Sequence, residues 1–327
     1  MAKRDIIVIG ASAGGVYALK ELVMALPASF PASIFVVLHK SATEPSYLPQ
    51  ILSQAGQLPA DHPEDGTSIQ SGHIYIAPPD RHLLLEPGRV LVRKGPKENR
   101  FRPSIDALFR SAAYTYGPRV IGVVLTGMLD DGTSGMWSIK RLGGISIIQD
   151  PGEALYPSMP ESVRQHVAVD HCVRLAQLPV LLAELVQESV EQGLTLSEGE
   201  VTRMATEMKI MEGDKSGEMD GMNVGELSSL TCPECHGTLA RIEEGTLTRY
   251  RCHTGHGFSA KTLLSGIQES VEDSVWNAIR ALEEAIMLLE QTAKGLERGS
   301  ISLDDYQSQI DQAQAQLALL RPLVTGR

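Results

Sequence analysis

The sequence predicts an α/β protein: a doubly wound, mostly parallel sheet with a β-hairpin insertion, followed by a small cysteine-bearing β unit and a helical hairpin. Three observations predict it. From residue 1 to about 190, short apolar runs alternate with stretches of helical periodicity. Two of those runs, "DIIVIG" and "RVIGVVLTG", are apolar nearly throughout, as parallel strands covered on both faces must be. Beyond residue 230, three cysteines cluster and two long apolar stripes repeat at four and three residues.

The elements follow in order. "DIIVIG" is a strand and "GVYALKELVMAL" a helix; "SIFVVLH" is the second strand, with a helix near "YLPQILSQA". "GHIYIAPP", "HLLLE" and "RVLVRK" are short strands, the last two separated by "PG", so a hairpin interrupts the alternation. "RPSIDALFRSAAYTYG" reads as a helix with Pro103 tolerated in its first turn and Gly117 at its end. "RVIGVVLTG", the helix "TSGMWSIKRLGG" and the strand "ISIIQD" complete the pattern.

Composition narrows the class. The 327 residues are 43% hydrophobic, enough for a full core and more than one ordinary domain. With 29 Lys and Arg against 40 Asp and Glu the net charge is −11, which argues against a nucleic-acid partner. No run approaches a membrane span and the N-terminus lacks a signal pattern, so the expectation is a cytoplasmic protein without membrane insertion. Cys172, in "VDHCVRL", stands alone and is expected to be a buried small hydrophobe.

The glycine-rich turn "GASAGG" after the first strand holds either a phosphate or a serine. A dinucleotide turn needs G-x-G-x-x-G, and Ser12 stands where the second glycine should be. A nucleophile elbow needs G-x-S-x-G, and Gly10, Ser12 and Gly14 match. The plain alternative is that Ser12 caps the following helix.

In open α/β sheets, functional groups collect beyond the carboxyl ends of the strands. The second strand ends in His39, and the later buried strand ends in "LTGMLDDG" with Asp130 and Asp131. A serine needs a base to activate it, and the base needs an acceptor for its second nitrogen; Ser12, His39 and Asp131 can fill those roles. Backbone amides around Ala13 and Met128 are candidates for an oxyanion hole. Singly, each residue has a duller reading: His39 as a satisfied strand-end histidine, "DDG" as a turn and helix cap.

"IGASAGG", "VVLHK", "APPDRHLLL", "RPSIDALFRSAA" and "LTGMLDDGTSGM", in this order and spacing, resemble the catalytic domain of the CheB-type chemoreceptor glutamate methylesterases over about residues 4 to 190. The resemblance implies hydrolysis of γ-glutamyl methyl esters, and deamidation of glutamines, on the signalling helices of methylated chemoreceptors or related signalling proteins, with no cofactor for catalysis. It implies Ser12 as nucleophile, His39 as base, Asp131 as its orienting acid, oxyanion-hole amides at Ala13 and Met128, and Arg102 of "RPSID" at the substrate groove. Asp130 replaces a common asparagine and Ala13 a common threonine. The receiver domain of the best-known members is expected to be absent, and with it control by phosphorylation in cis. The rival readings are a catalytically silent signalling scaffold and, through the first turn, a nucleotide-binding protein.

The first domain is expected to span 1–192 and an acidic flexible linker 193–229, where "DKSGEMDG" fails as a calcium loop because Met219 replaces the turn glycine. In 230–262, "CPECHGTLARIEEGTLTRYRCHTGH" supplies a C-x-x-C knuckle, Cys232 and Cys235, then Cys252, with His256 as fourth ligand and His253 the alternative. That is a zinc-ribbon-like pattern suited to a structural zinc, in a segment too small to fold well without one. Residues 263–327 repeat at Val275, Ile279, Leu282, Ile286 and Leu289, turn near "ERGSISLDD", and repeat at Tyr306, Ile310, Ala313, Leu317 and Leu320. An antiparallel helical hairpin follows, buries little by itself and invites self-association.

Overall fold

The computed structural model describes residues 2–41, 43–190, 197–213, 224–294 and 301–326. It divides into two compact units, Met1–Leu263 and Leu264–Arg327.

The first unit is built on a seven-stranded sheet. In chain order its strands are β1 (Ile6–Ala11), β2 (Ser33–Leu38), β3 (Ala60–Asp61) and β4 (Ile74–Ile76), then β7 (Val120–Val124), β8 (Ile145–Gln149) and β9 (His171–Val173). The spatial order is β3-β4-β2-β1-β7-β8-β9 and every pairing is parallel. The hairpin β5 (His82–Glu86) and β6 (Arg89–Arg93) forms a separate two-stranded sheet, as the "PG" turn requires. Side chains of β1 alternate between two apolar cores: Ile7, Ile9 and Ala11 enter one, Ile6 and Val8 the other. Helices α1 (Gly15–Met24) and α2 (Leu48–Ala55) cover the first face, and α3 (Ile105–Tyr116), α4 (Thr133–Arg141) and α5 (Ser158–His166) the second.

Strand order reverses at β1, whose neighbours β2 and β7 continue in opposite directions. The crevice at such a reversal is where open α/β sheets place their sites, because the connecting loops separate there. Gly10 is needed at the end of β1: a Cβ on it would lie 2.3 Å from Ile105 Cγ2 of α3. Cys172 is exposed, against expectation, because β9 is the last strand of the sheet and its middle side chain points outward.

The linker expected over 193–229 is not irregular where it is described. Residues Glu198–Glu212 form a helix, α7, after the short α6 (Leu178–Leu185). Ser197 and Glu200 close a capping box at its start, and Met204, Glu207, Met208 and Met211 make its buried stripe. The stripe has helical spacing, but its glutamate hid it from a reading that looked for apolar residues only. The segment "DKSGEMDG" lies outside the described residues.

A four-stranded antiparallel sheet follows: β10 (Glu226–Thr231), β11 (Thr238–Glu244), β12 (Leu247–Cys252) and β13 (Gly257–Ser259). It belongs to the same compact unit as the parallel sheet. An interior of charge holds it there. Glu98, Arg110, Glu207, Glu244, Arg249 and Arg251 come from a loop, α3, α7, β11 and β12, and all six side chains are at most 3% exposed. Three carboxylates and three guanidiniums balance.

The second unit contains most of the helix Ala260–Ala293 and the helix Ile301–Thr325. Within it Ile279, Ile310, Ala313 and Leu317 are buried and Arg321 bonds Glu283 at 2.6 Å. The turn expected near "ERGSISLDD" lies partly outside the described residues.

Candidate functional site

The register of β1 and β2 pairs Ala11 with Leu38, so the next residues, Ser12 and His39, leave adjacent strand ends together. Two backbone bonds extend the pattern: the His39 amide donates to Ala11 O at 3.1 Å and the Ser12 amide to Thr126 O at 3.0 Å. Thr126 Oγ1 donates to Ala13 O at 3.0 Å, locking the serine turn onto the loop after β7. Ser12 does not cap α1: Gly14 holds that position, in the left-handed conformation at φ 79°. Its hydroxyl therefore needs another role.

His39 is held on two sides. Its Nε2 donates to Asp131 Oδ2 at 2.7 Å, since an ionised carboxylate can only accept. The ring stacks on Phe101 with centroids 3.7 Å apart and planes 9° from parallel. Nδ1 is buried and has no hydrogen-bond partner among the described residues. With Nε2 carrying the proton, the Nδ1 lone pair is the basic atom.

Asp131 is fully buried and richly served. Asn99 Nδ2 donates to Oδ1 at 2.8 Å, Ser104 Oγ at 2.9 Å and the Asp106 amide at 3.2 Å, while the Ile105 amide reaches Oδ2 at 2.7 Å. Burial works to raise its carboxyl, but the bonds from His39, Asn99 and Ile105 outweigh it and hold Asp131 below the usual carboxylate range. The start of α3 thus aims its amides at the acid. Asp131 is no helix cap; Asp106 serves α4, accepting from the Gly132 and Gly135 amides at 3.0 and 2.6 Å. Burial, reinforced by the Asp131 and Glu98 charges, drives the Asp106 carboxyl well up. Asp130 is buried beside Ser259 and Lys261, and burial raises its carboxyl too.

The amides of Ala13 and Met128 have no acceptor among the described residues. Gly127 between the loop and the serine is tight: a Cβ there would meet Ser12 Cβ at 2.9 Å. Leu129 holds φ at 65°, a strained value for a leucine, in the same loop. An open groove of about 710 Å³ runs past this loop, lined by Met128, Leu129, Tyr156, Arg164 and Lys261 among others. Arg102 does not line it. Its guanidinium is spent on Asp80 Oδ1 and Gly95 O, each at 2.8 Å.

Sequence reasoning missed Asn99, Phe101, Ser104 and Asp106, although "NRFRPSID" carried them all. His82, at the start of the expected strand "HLLLE", is buried on β5, accepts from the Ser104 amide and bonds Pro96 O, and burial pushes its imidazole down.

In the C-terminal sheet, the ligand atoms of Cys232, Cys235, Cys252 and His256 all lie within 4.8 Å of one another. Cys235 Sγ is 3.6 Å from Cys252 Sγ, and His256 Nδ1 is 3.6 and 3.7 Å from Cys252 and Cys232 Sγ. A tetrahedral zinc with bonds of about 2.3 Å to sulfur and 2.0 Å to nitrogen has edges of roughly 3.5–3.8 Å, so the donors fit that ion in kind and spacing. A hydrogen bond from Cys232 holds Cys252 as a thiolate. His253, the alternative fourth ligand, packs on Gly237 outside the group.

The CheB methylesterase family model matches residues 7–182. A Leptospira interrogans protein with the provisional name protein-glutamate methylesterase/protein-glutamine glutaminase is 37% identical over 189 residues, covering 58% of this chain and 98% of that protein. Protein-glutamate methylesterase/protein-glutamine glutaminase 4 of Myxococcus xanthus is 39% identical over 181 residues, 55% of this chain and 50% of that one. The crystal structure of the Thermotoga maritima CheB methylesterase catalytic domain superposes with a TM-score of 0.54 at 35% identity, covering 57% of this chain and all of that domain.

Proposed function

Since this chain belongs to the CheB methylesterase family, we propose that it is a serine hydrolase that cleaves γ-glutamyl methyl esters and deamidates glutamines on the helices of a methylated chemoreceptor or related signalling protein. One observation carries the reading: His39, fixed by Asp131 at 2.7 Å and by Phe101, keeps a buried, unpartnered Nδ1 at the strand end adjacent to Ser12.

Ser12 Oγ attacks the ester carbonyl while His39 Nδ1 takes its proton. The tetrahedral oxyanion is met by the amides of Ala13 and Met128. Collapse breaks the carbonyl–methoxy bond; methanol departs with the proton from His39 and the acyl group stays on Ser12. Water then attacks the acyl-enzyme, giving its proton to His39, and the glutamate leaves as Ser12 Oγ is reprotonated. For a glutamine substrate the leaving group is ammonia. Asp131 stabilises the imidazolium in each half-reaction without taking the proton itself. The open groove beside Met128 offers a surface on which a helical segment can present one side chain.

The test is methanol release from a methylated receptor signalling fragment. Full-length protein should release it and Ser12→Ala should not; equal release from both would overturn the assignment, and release from neither would favour the silent scaffold.

We infer likewise that Cys232, Cys235, Cys252 and His256 hold a structural zinc that takes no part in the reaction. No helix among the described residues is long and apolar enough to cross a membrane, in keeping with action in the cytoplasm. Self-association through the helical hairpin, where Val271, Trp276 and Met287 are exposed, is a further partner reading. A molar mass by light scattering that stays at 35.4 kDa at every concentration would end it.

A further inference from the structure

We propose that the C-terminal antiparallel sheet is a positioning element of the esterase site, acting on Asp131 through the side chain of Asn99. This rests on the esterase reading for its consequence in catalysis, but its geometry stands apart from it.

Asn99 is 2% exposed and all four hydrogen-bonding positions of its amide are filled. Nδ2 donates to Asp131 Oδ1 at 2.8 Å and to Asp106 Oδ2 at 2.7 Å. Oδ1 accepts from the Ser259 amide at 2.9 Å and from Thr262 Oγ1 at 3.1 Å. The donor half therefore grips the triad's acid, and the donors to the acceptor half come from the last residue of the C-terminal sheet, Ser259, and from the first turn of the helix that follows it, Thr262. The backbone is tied at the same place: the Asn99 amide donates to Gly257 O at 2.8 Å and the Gly257 amide to Lys97 O at 3.1 Å. Glu98 thus makes an isolated parallel bridge with Gly257 at the start of β13, and Asn99 takes φ 51°, a left-handed value that asparagine tolerates better than most residues.

An amide whose acceptor side is fixed cannot rotate, so its donor side is presented to Asp131 at constant angle. Loss of the Thr262 and Ser259 bonds would free the amide, weaken its bond to Asp131 and leave that carboxylate more basic. A more basic Asp131 favours the imidazolium of His39. Thr262 is buried and touches no reacting group, and its hydroxyl bonds both Asn99 and Ser259 at the sheet's end, which makes it the residue through which this attachment can be tested.

The experiment uses the full chain with Thr262→Val, Thr262→Ser and Asn99→Ala. It follows the His39 ring titration by NMR and the pH profile of kcat for methanol release. Asn99→Ala should lower kcat about tenfold at little change in KM, and Thr262→Val should lower it several-fold. Both should move the His39 titration and the acidic limb of kcat to higher pH. Thr262→Ser, which keeps the hydroxyl, should restore the native profile. A shift in Asn99→Ala with none in Thr262→Val would overturn the proposal, because the sheet would then be inert. If the native chain releases no methanol, the esterase reading fails while the ring titrations still decide this one. Should Thr262→Val not fold, hydrogen exchange of the native chain decides: the Ser259 amide should exchange only as fast as the amides of β1, and exchange by an easier local opening would refute the coupling.

Discussion

Glu207 and Arg249 meet at 2.8 Å with side chains 1% and 2% exposed, and they come from segments with no sequence relation, a helix after the family-matched region and a strand of the C-terminal sheet. Around them Arg110 and Glu98 arrive from the parallel-sheet side, and Arg251 and Glu244 from the antiparallel one. The junction of the two sheets is thus ionic where an apolar seam is commoner. Such a junction is specific more than strong: its charges lose hydration on burial, and only the completed set recovers it.

The first prediction concerns that completeness. Arg249→Met leaves the buried carboxylates in excess and should destabilise the first unit by about 3–5 kcal/mol in chemical denaturation. The double change Glu207→Gln with Arg249→Met should recover part of the loss, since the two residues share one network. A loss below about 1 kcal/mol for Arg249→Met would mean that the pocket admits water freely.

The second is a pH dependence. The guanidiniums of Arg249, Arg110 and Arg251 overcome burial and hold the Glu207 carboxyl down at about 2, against an ordinary 4.5. A carboxyl depressed in the folded state binds fewer protons there than in the unfolded chain, so its contribution is complete above pH 4.5 and disappears as pH falls toward 2. Stability should therefore drop between pH 5 and 3, and Glu207→Gln should flatten the curve over that window. A wild-type denaturation midpoint unchanged from pH 5 to 3 would contradict the burial of this charge.

The third concerns the triad. Asp131→Asn keeps shape but removes the charge that stabilises the His39 imidazolium; kcat for methanol release should fall by about 10³–10⁴ with KM nearly unchanged. Phe101→Ala leaves every hydrogen bond but removes the face on which the ring stacks, and should cost less, on the order of tenfold. Arg102→Ala, whose guanidinium is engaged by Asp80 and Gly95, should chiefly lower stability. A rise in KM alone would return Arg102 to the groove.

How much of this could be read from the sequence differs by residue. Ser12 and His39 are legible because each directly follows an apolar run, and Asp131 because it stands in the loop after a third such run, a place that pattern locates well. Asn99 and Phe101 were not legible from pattern, because they act from an irregular segment whose course depends on pairing with Gly257, far along the chain. Glu207 was illegible for another reason: a buried charge breaks the apolar periodicity that marks a helix, and its partners lie about forty residues away in β12. Within the first unit the C-terminal sheet meets the parallel-sheet side through that charge cluster, which apolar stripes do not reveal.

The fourth prediction is metal content. With Cys235 and Cys252 Sγ at 3.6 Å and His256 Nδ1 at 3.6–3.7 Å from two thiols, these donor separations match the edge lengths of a zinc tetrahedron. Protein purified without chelator should carry one zinc per chain by elemental analysis. Cys252→Ser should lose it, and His253→Ala, outside the group, should keep it. The sheet has the charge cluster to hold it as well as the metal, so zinc removal should lower the melting temperature of the first unit without unfolding it entirely, whereas an isolated finger would unfold outright. Because Gly257 follows His256 directly and bonds Asn99, the chelated protein should also exchange its Asn99 and Gly257 amides faster than the native one. Metal-free protein with unchanged melting and unchanged exchange would show that the cysteines only pack.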